Sequence, residues 1–313
     1  MALTNTDLLN DIRRSGVFPS TATTVMSDTD LLAQATKELR EYILPRIQRI
    51  REEYYITEKS ITTTASLAQY RIPHRAAGNS LRDVLYIESG MTRNLSRIES
   101  ERVAEIATTS NGSPAFFYLE AGRIVLYPTP GTAATLKLKY MTRPGKLVTN
   151  GVAPFLQCTA IATQSATLTR LTFTSHGLSS GTKVDLINSN SPYEYRVVAA
   201  TIQAVATNTI DLLTTDLPAD WSATDDIGVW LATEDNSPVA QLPEELWGAL
   251  AQRTVYRINM AAGHMEMAGK AKEDADEMVD NAVRVLTPRV EGEPRVVTGG
   301  PMWRNKMGPF GLY

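Results

Sequence analysis

Three histidines are the first place to look for acid–base chemistry near neutral pH. They are His74, His176 and His264, and they fall in three separate segments. No cysteine stands near any of them, so no local metal-ligand spacing exists. His176 precedes Gly177 and reads as a turn residue bonded to its own loop. The run Gly177-Leu178-Ser179-Ser180-Gly181-Thr182-Lys183 has the glycines of a phosphate loop but not its spacing, and a strand pattern follows it instead of a helix start. Gly145-Lys146 has no glycine five residues before it, and no serine elbow occurs. Glu273, Asp274, Asp276, Glu277 and Asp280 form an acidic run on a helical pattern. It lacks the glycine turn of a calcium loop, so it reads as a solvated face. The single cysteine, Cys158, reads as a small buried hydrophobe in a strand. No catalytic constellation, cofactor site or metal site emerges, and the expectation is a protein that is not an enzyme.

The elements that carry these residues fall into three textures. The first is helical. Leu8, Leu9 and Ile12 share a face within residues 3–15, and Gly16 and Pro19 end that helix. Ser27 caps a longer helix with Asp28 and Asp30 in its first turn. Its apolar stripe runs Leu32, Ala35, Leu39, Tyr42 or Ile43, Ile47, Ile50 and Tyr54. Pro45 lies inside it and predicts a kink near Leu44, or two helices in line, because proline removes a backbone donor and crowds the preceding turn. A second helical stretch begins at Pro243, with Glu244 and Glu245 beside it. Trp247, Ala251, Thr254, Ile258, Ala261 and Met265 form its stripe, which Ala268, Ala275, Val279, Ala282 and Leu286 continue. Gly263-His264 marks either a break between two antiparallel helices, toward which the pattern leans, or a weak point in one long helix.

The second texture has period two. Short strands are expected from Ile56 to Met141, with a hairpin turn at Glu120-Ala121-Gly122 and a short helix over 96–107. Leu136, Leu138 and Tyr140 alternate with Lys137 and Lys139, the pattern of a sheet with one wet face. Residues 155–235 are rich in Thr, Ala, Ser and Val, with regularly spaced strands that suggest a small barrel or sandwich. The third texture is the tail, Pro288–Tyr313, with four prolines and five glycines. Ordering about 25 residues costs on the order of 1 kcal/mol each. Burying Trp303, Phe310 and Tyr313 returns roughly 1.5–3 kcal/mol each. Partner chains are therefore expected to hold the tail.

The composition of the 313 residues is that of an ordinary globular chain, 43% hydrophobic and 21% charged, with a formal net charge of −3. Near-neutral charge argues against a dedicated nucleic-acid binder. No apolar run is long enough to span a membrane, and the N-terminus has no signal-peptide core.

The first fifty-five residues resemble the head–tail adaptor, or connector, proteins of tailed bacteriophages. The resemblance rests on Leu8-Leu9-Asn10-Asp11-Ile12-Arg13-Arg14 and the long helix from Asp30 through Tyr54. It continues in Ala115-Phe116-Phe117-Tyr118-Leu119, in Arg123-Ile124-Val125-Leu126-Tyr127-Pro128, and in Leu242-Pro243-Glu244-Glu245-Leu246-Trp247-Gly248-Ala249-Leu250. The stretch from Leu171 to Val184 lies outside that pattern and is similar to a small β module common in phage tail proteins. The resemblance implies a virion protein, made in the host cytoplasm and placed at the head–tail junction. It would form a homo-oligomeric ring, typically of twelve copies, that docks on the portal, meets tail nozzle or fibre proteins, and lets DNA pass through its lumen during ejection without reading it. No membrane is involved.

The expected fold is α+β: a helical bundle with a small antiparallel sheet, an inserted β-barrel or β-sandwich domain, and an extended C-terminal arm. Residues 1–150 and 236–287 would form the adaptor core, 151–235 the inserted all-β domain, and 288–313 the arm. The arm residues Arg295, Trp303, Arg304, Lys306, Phe310 and Tyr313 are assigned to portal docking. Leu32, Leu39, Ile47, Ile50, Trp247 and Ile258 are assigned to helix packing between subunits. Two other readings compete. One is a receptor- or carbohydrate-binding tail component, with Trp221 and Trp230 as stacking residues. The other is a hydrolase, which the missing constellation disfavours.

Overall fold

The structure is a computed structural model that describes residues 4–16, 26–50, 53–105, 111–149, 156–188, 195–218, 221–224 and 226–287. The tail 288–313, and with it the expected arm, lies outside these residues. Strands dominate the rest, and the expected helical bundle is overturned. There are four four-stranded sheets, almost wholly antiparallel, and two two-stranded pairs. The helices gather from the two ends of the described chain. They are α1 (Asn5–Gly16), α2 (Asp28–Glu38), α3 (Leu44–Ile50), α4 (Trp247–Ala261) and α5 (Met265–Leu286). The apolar stripes at residues 28–50 and 247–286 are real, but they meet one another as one core beside the sheets. The strands lie in the long stretch between α3 and α4.

Local chemistry explains the helix ends. Ser27 Oγ accepts the Asp30 backbone N–H at 3.2 Å, and Asp30 Oδ2 accepts the Ser27 hydroxyl at 2.7 Å and its backbone N–H at 3.2 Å. Those bonds hold the Asp30 carboxyl below the usual carboxylate range. The strain of Pro45 is taken up by a π-turn, Leu39–Ile43, placed just before it. The wider turn lets the Leu44 N–H reach the Leu39 carbonyl, and α3 continues in line. At the other end, Gly263 at φ +80° separates α4 from α5, as its position predicts.

Two of the sheets belong to the first β region. One runs in the order Ile56–Thr62, Thr135–Thr142, Ala76–Glu88, Met91–Asn94. The other runs Gln69–Arg71, Arg123–Tyr127, Phe116–Glu120, Ser96–Arg97. They enclose a core that includes Tyr70, Val84, Tyr86, Phe117, Ile124, Leu126, Leu136, Leu138 and Tyr140. Lys137 and Lys139 point the other way and meet Glu58 at 2.5 and 3.2 Å. The hairpin pairs Glu120 with Arg123 across Ala121 and Gly122, both at positive φ, which matches the twist of the flanking strands. The short helix expected over 96–107 is a two-residue strand, Ser96–Arg97, followed by a 3-10 turn, Ser100–Glu105.

The second β region holds the other two sheets. Their orders are Leu156–Gln157, Trp230–Thr233, Lys183–Ile187, Tyr195–Thr201, and Ala160–Thr163, Leu168–Thr172, Thr209–Leu213, Ala204–Ala206. Both sheets line a separate core of Leu171, Phe173, Val184, Leu186, Val197, Ile210, Leu212 and Leu231. Cys158 is buried there, free. The sheets stay open at their edges, so the region is not a closed barrel. Closure needs every edge strand to find a partner, and the outer strands here end at two to seven residues.

One buried charge cluster locks the helices. Glu38 is fully buried and takes Arg253 Nε at 3.0 Å and Arg257 Nε. The Arg253 guanidinium lies 3.7 Å from the centre of the Tyr42 ring, and Arg46 lies 3.6 Å from it. Two cations that close to one ring must sit on opposite faces. Tyr42 donates its hydroxyl to Asp276 on α5. Burial, then the nearby Arg253, pushes the Arg46 guanidinium down from its ordinary value. Removing Glu38 leaves Arg253 buried without its counter-charge. Glu38→Ala should therefore destabilise the protein by roughly 3–5 kcal/mol, against about 1 kcal/mol for a typical substitution. Urea unfolding measures this, and a loss below ~1 kcal/mol would show that the cluster is dispensable.

Candidate functional site

The residues assigned to subunit packing turn inward. Leu32, Leu39, Ile47, Trp247 and Ile258 are all buried in the chain's own helical core. The side chain of Ile50 lies outside the described residues, as do Arg295, Trp303, Arg304, Lys306, Phe310 and Tyr313. The apolar atoms that the helices present to solvent are others: Met260, Met265, Met267, Met278 and Val285.

The histidines are not brought together. His176 is buried in its loop: its Nδ1 accepts the Leu178 N–H at 3.1 Å, so Nε2 carries the proton toward the Ala206 and Thr209 carbonyls at 2.8 and 3.2 Å. That is the structural role its turn position suggested. His74 is 63% exposed and lies 3.2 Å from Glu234. His264 precedes α5 without a side-chain cap bond. Among the described residues no group of three His, Cys, Asp or Glu is placed to hold a metal ion. The loop before Lys183 runs into a strand, so no helix dipole faces an anion there. Trp221 and Trp230 are half-buried: Trp221 packs against the core of the second β region and Trp230 against a cluster with Tyr195 and Val239. Neither is a free stacking platform. The acidic run lies along α5, where Glu273, Asp276, Glu277 and Asp280 line an open groove of about 600 Å³. Burial, then the neighbouring Asp280, raises the Asp276 carboxyl.

The polar centre of the molecule is a joint that the sequence did not announce. Arg75 stands just before the strand Ala76–Glu88, and its side chain is 2% exposed. It donates to Asp185 Oδ2 at 2.6 Å, to the Tyr195 hydroxyl at 2.7 Å and to the Arg143 carbonyl at 3.0 Å. Its Nε lies 3.2 Å from Asp235. Tyr195 in turn donates to Gln241 Oε1 at 2.6 Å, and the Gly145 N–H meets both groups at 2.9 and 2.6 Å. Asp185 Oδ1 accepts the N–H of Ala199, which sits at φ +55°. Four groups, Arg143, Asp185, Tyr195 and Asp235, thus converge on one guanidinium. Burial opposes its charge, but Tyr195 and Asp185 raise its affinity for the proton above the ordinary arginine value. Burial pushes the Tyr195 phenol up to about 12, so it remains a donor at neutral pH.

The backbone closes beside this joint. Lys146–Leu147 pairs in parallel with Asn236–Ser237, so the chain enters and leaves the second β region side by side. A Cβ on Gly145 would stand 2.9 Å from the Asn236 carbonyl carbon, which explains the glycine. Three helix side chains hold the same segment. Thr36 Oγ1 accepts the Leu147 N–H at 3.0 Å, Arg40 reaches the Pro144 carbonyl at 2.7 Å, and Asn5 Nδ2 bonds the Val148 and Ser237 carbonyls at 2.8 and 2.9 Å. Beside the joint, a cleft of about 400 Å³ separates Ile56–Ser60 from Tyr195–Val198. Two of its three cations are engaged, Lys137 by Glu58 and Arg196 by Asp226. The arrangement has no nucleophile poised by a base. What it does is hold two β regions and a helical layer in one fixed relation.

A buried pair in which one partner is lost costs far more than a pair replaced as a whole. Asp185→Ala should cost roughly 3–5 kcal/mol. Arg75→Met combined with Asp185→Leu should cost less than the two single changes added together. A cycle of urea-unfolding midpoints checks this, and strict additivity would refute the coupling.

The comparisons with known proteins bear on the body of the molecule. A search of curated proteins gives no match. The family model described as SU10 adaptor protein matches residues 4–157. The matched stretch covers α1 to α3, the whole first β region and the Arg75 side of the joint, and it stops where the second β region begins. Over residues 4–157, just under half of its length, the chain is similar to the SU10 adaptor protein family, a match consistent with a phage head–tail adaptor.

Proposed function

We propose that the protein forms a ring that joins the portal of the capsid to the tail and leaves a channel through which DNA passes. The observation that carries this reading is the family match over residues 4–157. The fixed packing of the body supports it, since a part that transmits load between head and tail needs layers that do not slide. On this reading residues 1–150 and 236–287 are the adaptor body, 151–235 an inserted all-β unit facing outward or toward the tail, and 288–313 an arm that grips the portal. Twelve copies would match the adaptors that the chain resembles. Leu32, Leu39, Ile47, Trp247 and Ile258 support subunit contacts from beneath, by stiffening the helices whose outer faces meet the next copy.

The arm is suited to docking by its chemistry. Arg289, Arg295, Arg304 and Lys306 outnumber Glu291 and Glu293, and Trp303, Phe310 and Tyr313 are the kind of aromatic anchor that dominates interfaces. Deleting 288–313 should leave a chain with the parent's circular dichroism and unfolding midpoint that no longer co-sediments with portal rings. Unchanged co-sedimentation would remove the arm from the mechanism. A full chain that neither self-assembles nor binds portal, by mass measurement of each alone and mixed, would remove the ring.

A further inference from the structure

The open edges of the sheets are not alike. Soluble proteins protect an exposed edge strand with charges, because its unpaired N–H and C=O groups invite another chain. Of the described edge strands with three or more residues, Ile56–Thr62 carries Glu58 and Lys59, Gln69–Arg71 carries Arg71, Met91–Asn94 carries Arg93 and Tyr195–Thr201 carries Arg196. The two remaining edges are Ala160-Ile161-Ala162-Thr163 and Ala204-Val205-Ala206. Neither has a charge or a proline, and the two are opposite edges of the same sheet. All seven residues but Ile161 are exposed, with Val205 at 40%. No backbone hydrogen bond joins the outer side of either strand to another described residue. The local contacts there come from side chains, Cys158 Sγ on the Ala160 carbonyl and His176 Nε2 on the Ala206 carbonyl.

We propose that these two edges pair with each other between neighbouring copies of the chain, so that the sheets of the second β region join into a continuous belt. Strand parity argues for a second copy as the occupant. The sheet has four strands, each antiparallel to the next. Copies related by a simple rotation then bring Ala204–Ala206 of one against Ala160–Thr163 of the next in antiparallel sense, with no break in the alternation. A two-fold dimer through one edge would leave the other bare, whereas head-to-tail pairing consumes both. The small alanine side chains let the backbones approach.

The inference rests on the ring reading and is tested beside it. Ala162→Lys with Val205→Lys restores the charges that the other edges carry, at exposed positions outside the core. The parent is expected to assemble, alone or on portal rings, and the lysine variant to need at least tenfold more protein to do so, with an unchanged unfolding midpoint. Ala162→Cys with Val205→Cys, oxidised after assembly, should give a covalent ladder on a denaturing gel, with buried Cys158 as the only other thiol. A parent that assembles beside a lysine variant that assembles equally, or assembled cysteine variant without a ladder, sinks the edge pairing and leaves the ring standing. A parent that stays monomeric under every condition sinks both.

Discussion

A charge taken out of water must be met by other charges and dipoles, and Arg75 is where this protein obeys that constraint most fully. Its guanidinium donates to Asp185, Tyr195 and the Arg143 carbonyl and lies beside the Asp235 carboxylate, none of which is its sequence neighbour. The first β region, the second and the link back to α4 can therefore occupy only one relative position without leaving a buried ion uncompensated. The penalty for breaking such a pair is several times that for losing a surface pair. Smaller features follow from it. Asp185, held by Arg75, holds Ala199 in a left-handed conformation that a non-glycine residue adopts only when its surroundings require it. Gly145 is confined between Tyr195, Gln241 and the Asn236 backbone.

The helical layer repeats the principle with different parts. Glu38 sits between two arginines of α4, and Tyr42 sits between Arg46 and Arg253 while its hydroxyl reaches α5. Replacing such clusters by hydrocarbon is often neutral for stability. Their value here lies in geometry: a purely apolar core tolerates sliding, whereas a carboxylate shared by two guanidiniums does not. A connector that must seat one partner above and another below has a use for that rigidity.

What could be read from the sequence was local. The Ser27 capping box, the hairpin at Ala121-Gly122, the break at Gly263 and the alternation of Leu136, Leu138 and Tyr140 each depend on residues within a few positions of one another, and each stands in the structure. The balance of the fold did not follow from such signals. Long amphipathic stripes are conspicuous in a sequence, whereas short strands of about two to five residues leave little periodic signal. Arg75, Asp185 and Glu38 left no signal at all. A lone arginine between His74 and Ala76 looks like any surface residue until a strand 110 positions later covers it. Leu32, Leu39, Ile47, Trp247 and Ile258 were visible as an apolar stripe, but periodicity cannot say whether a stripe faces its own chain or a neighbour, and here it faces its own.

The distribution of charge between joints and edges separates the two halves of the chain. In the matched half, every described edge strand of three or more residues carries an ion, and the buried ions fasten parts of one chain to one another. In the second β region the buried ions behave likewise, with Asp185 turned to the body and Arg196 to Asp226, yet the far sheet keeps both edges uncharged. A monomer under selection for solubility has no reason to leave bare two edges of one sheet while charging every other described edge strand of three or more residues. On the proposed ring reading an assembly has one, because a lysine on either edge would act against each contact between copies. The joint at Arg75 then gains a second purpose. If the second β region is a point of attachment between copies, its orientation on the body fixes the angle between neighbours, and a buried ion pair is the device in this chain that allows that angle no play.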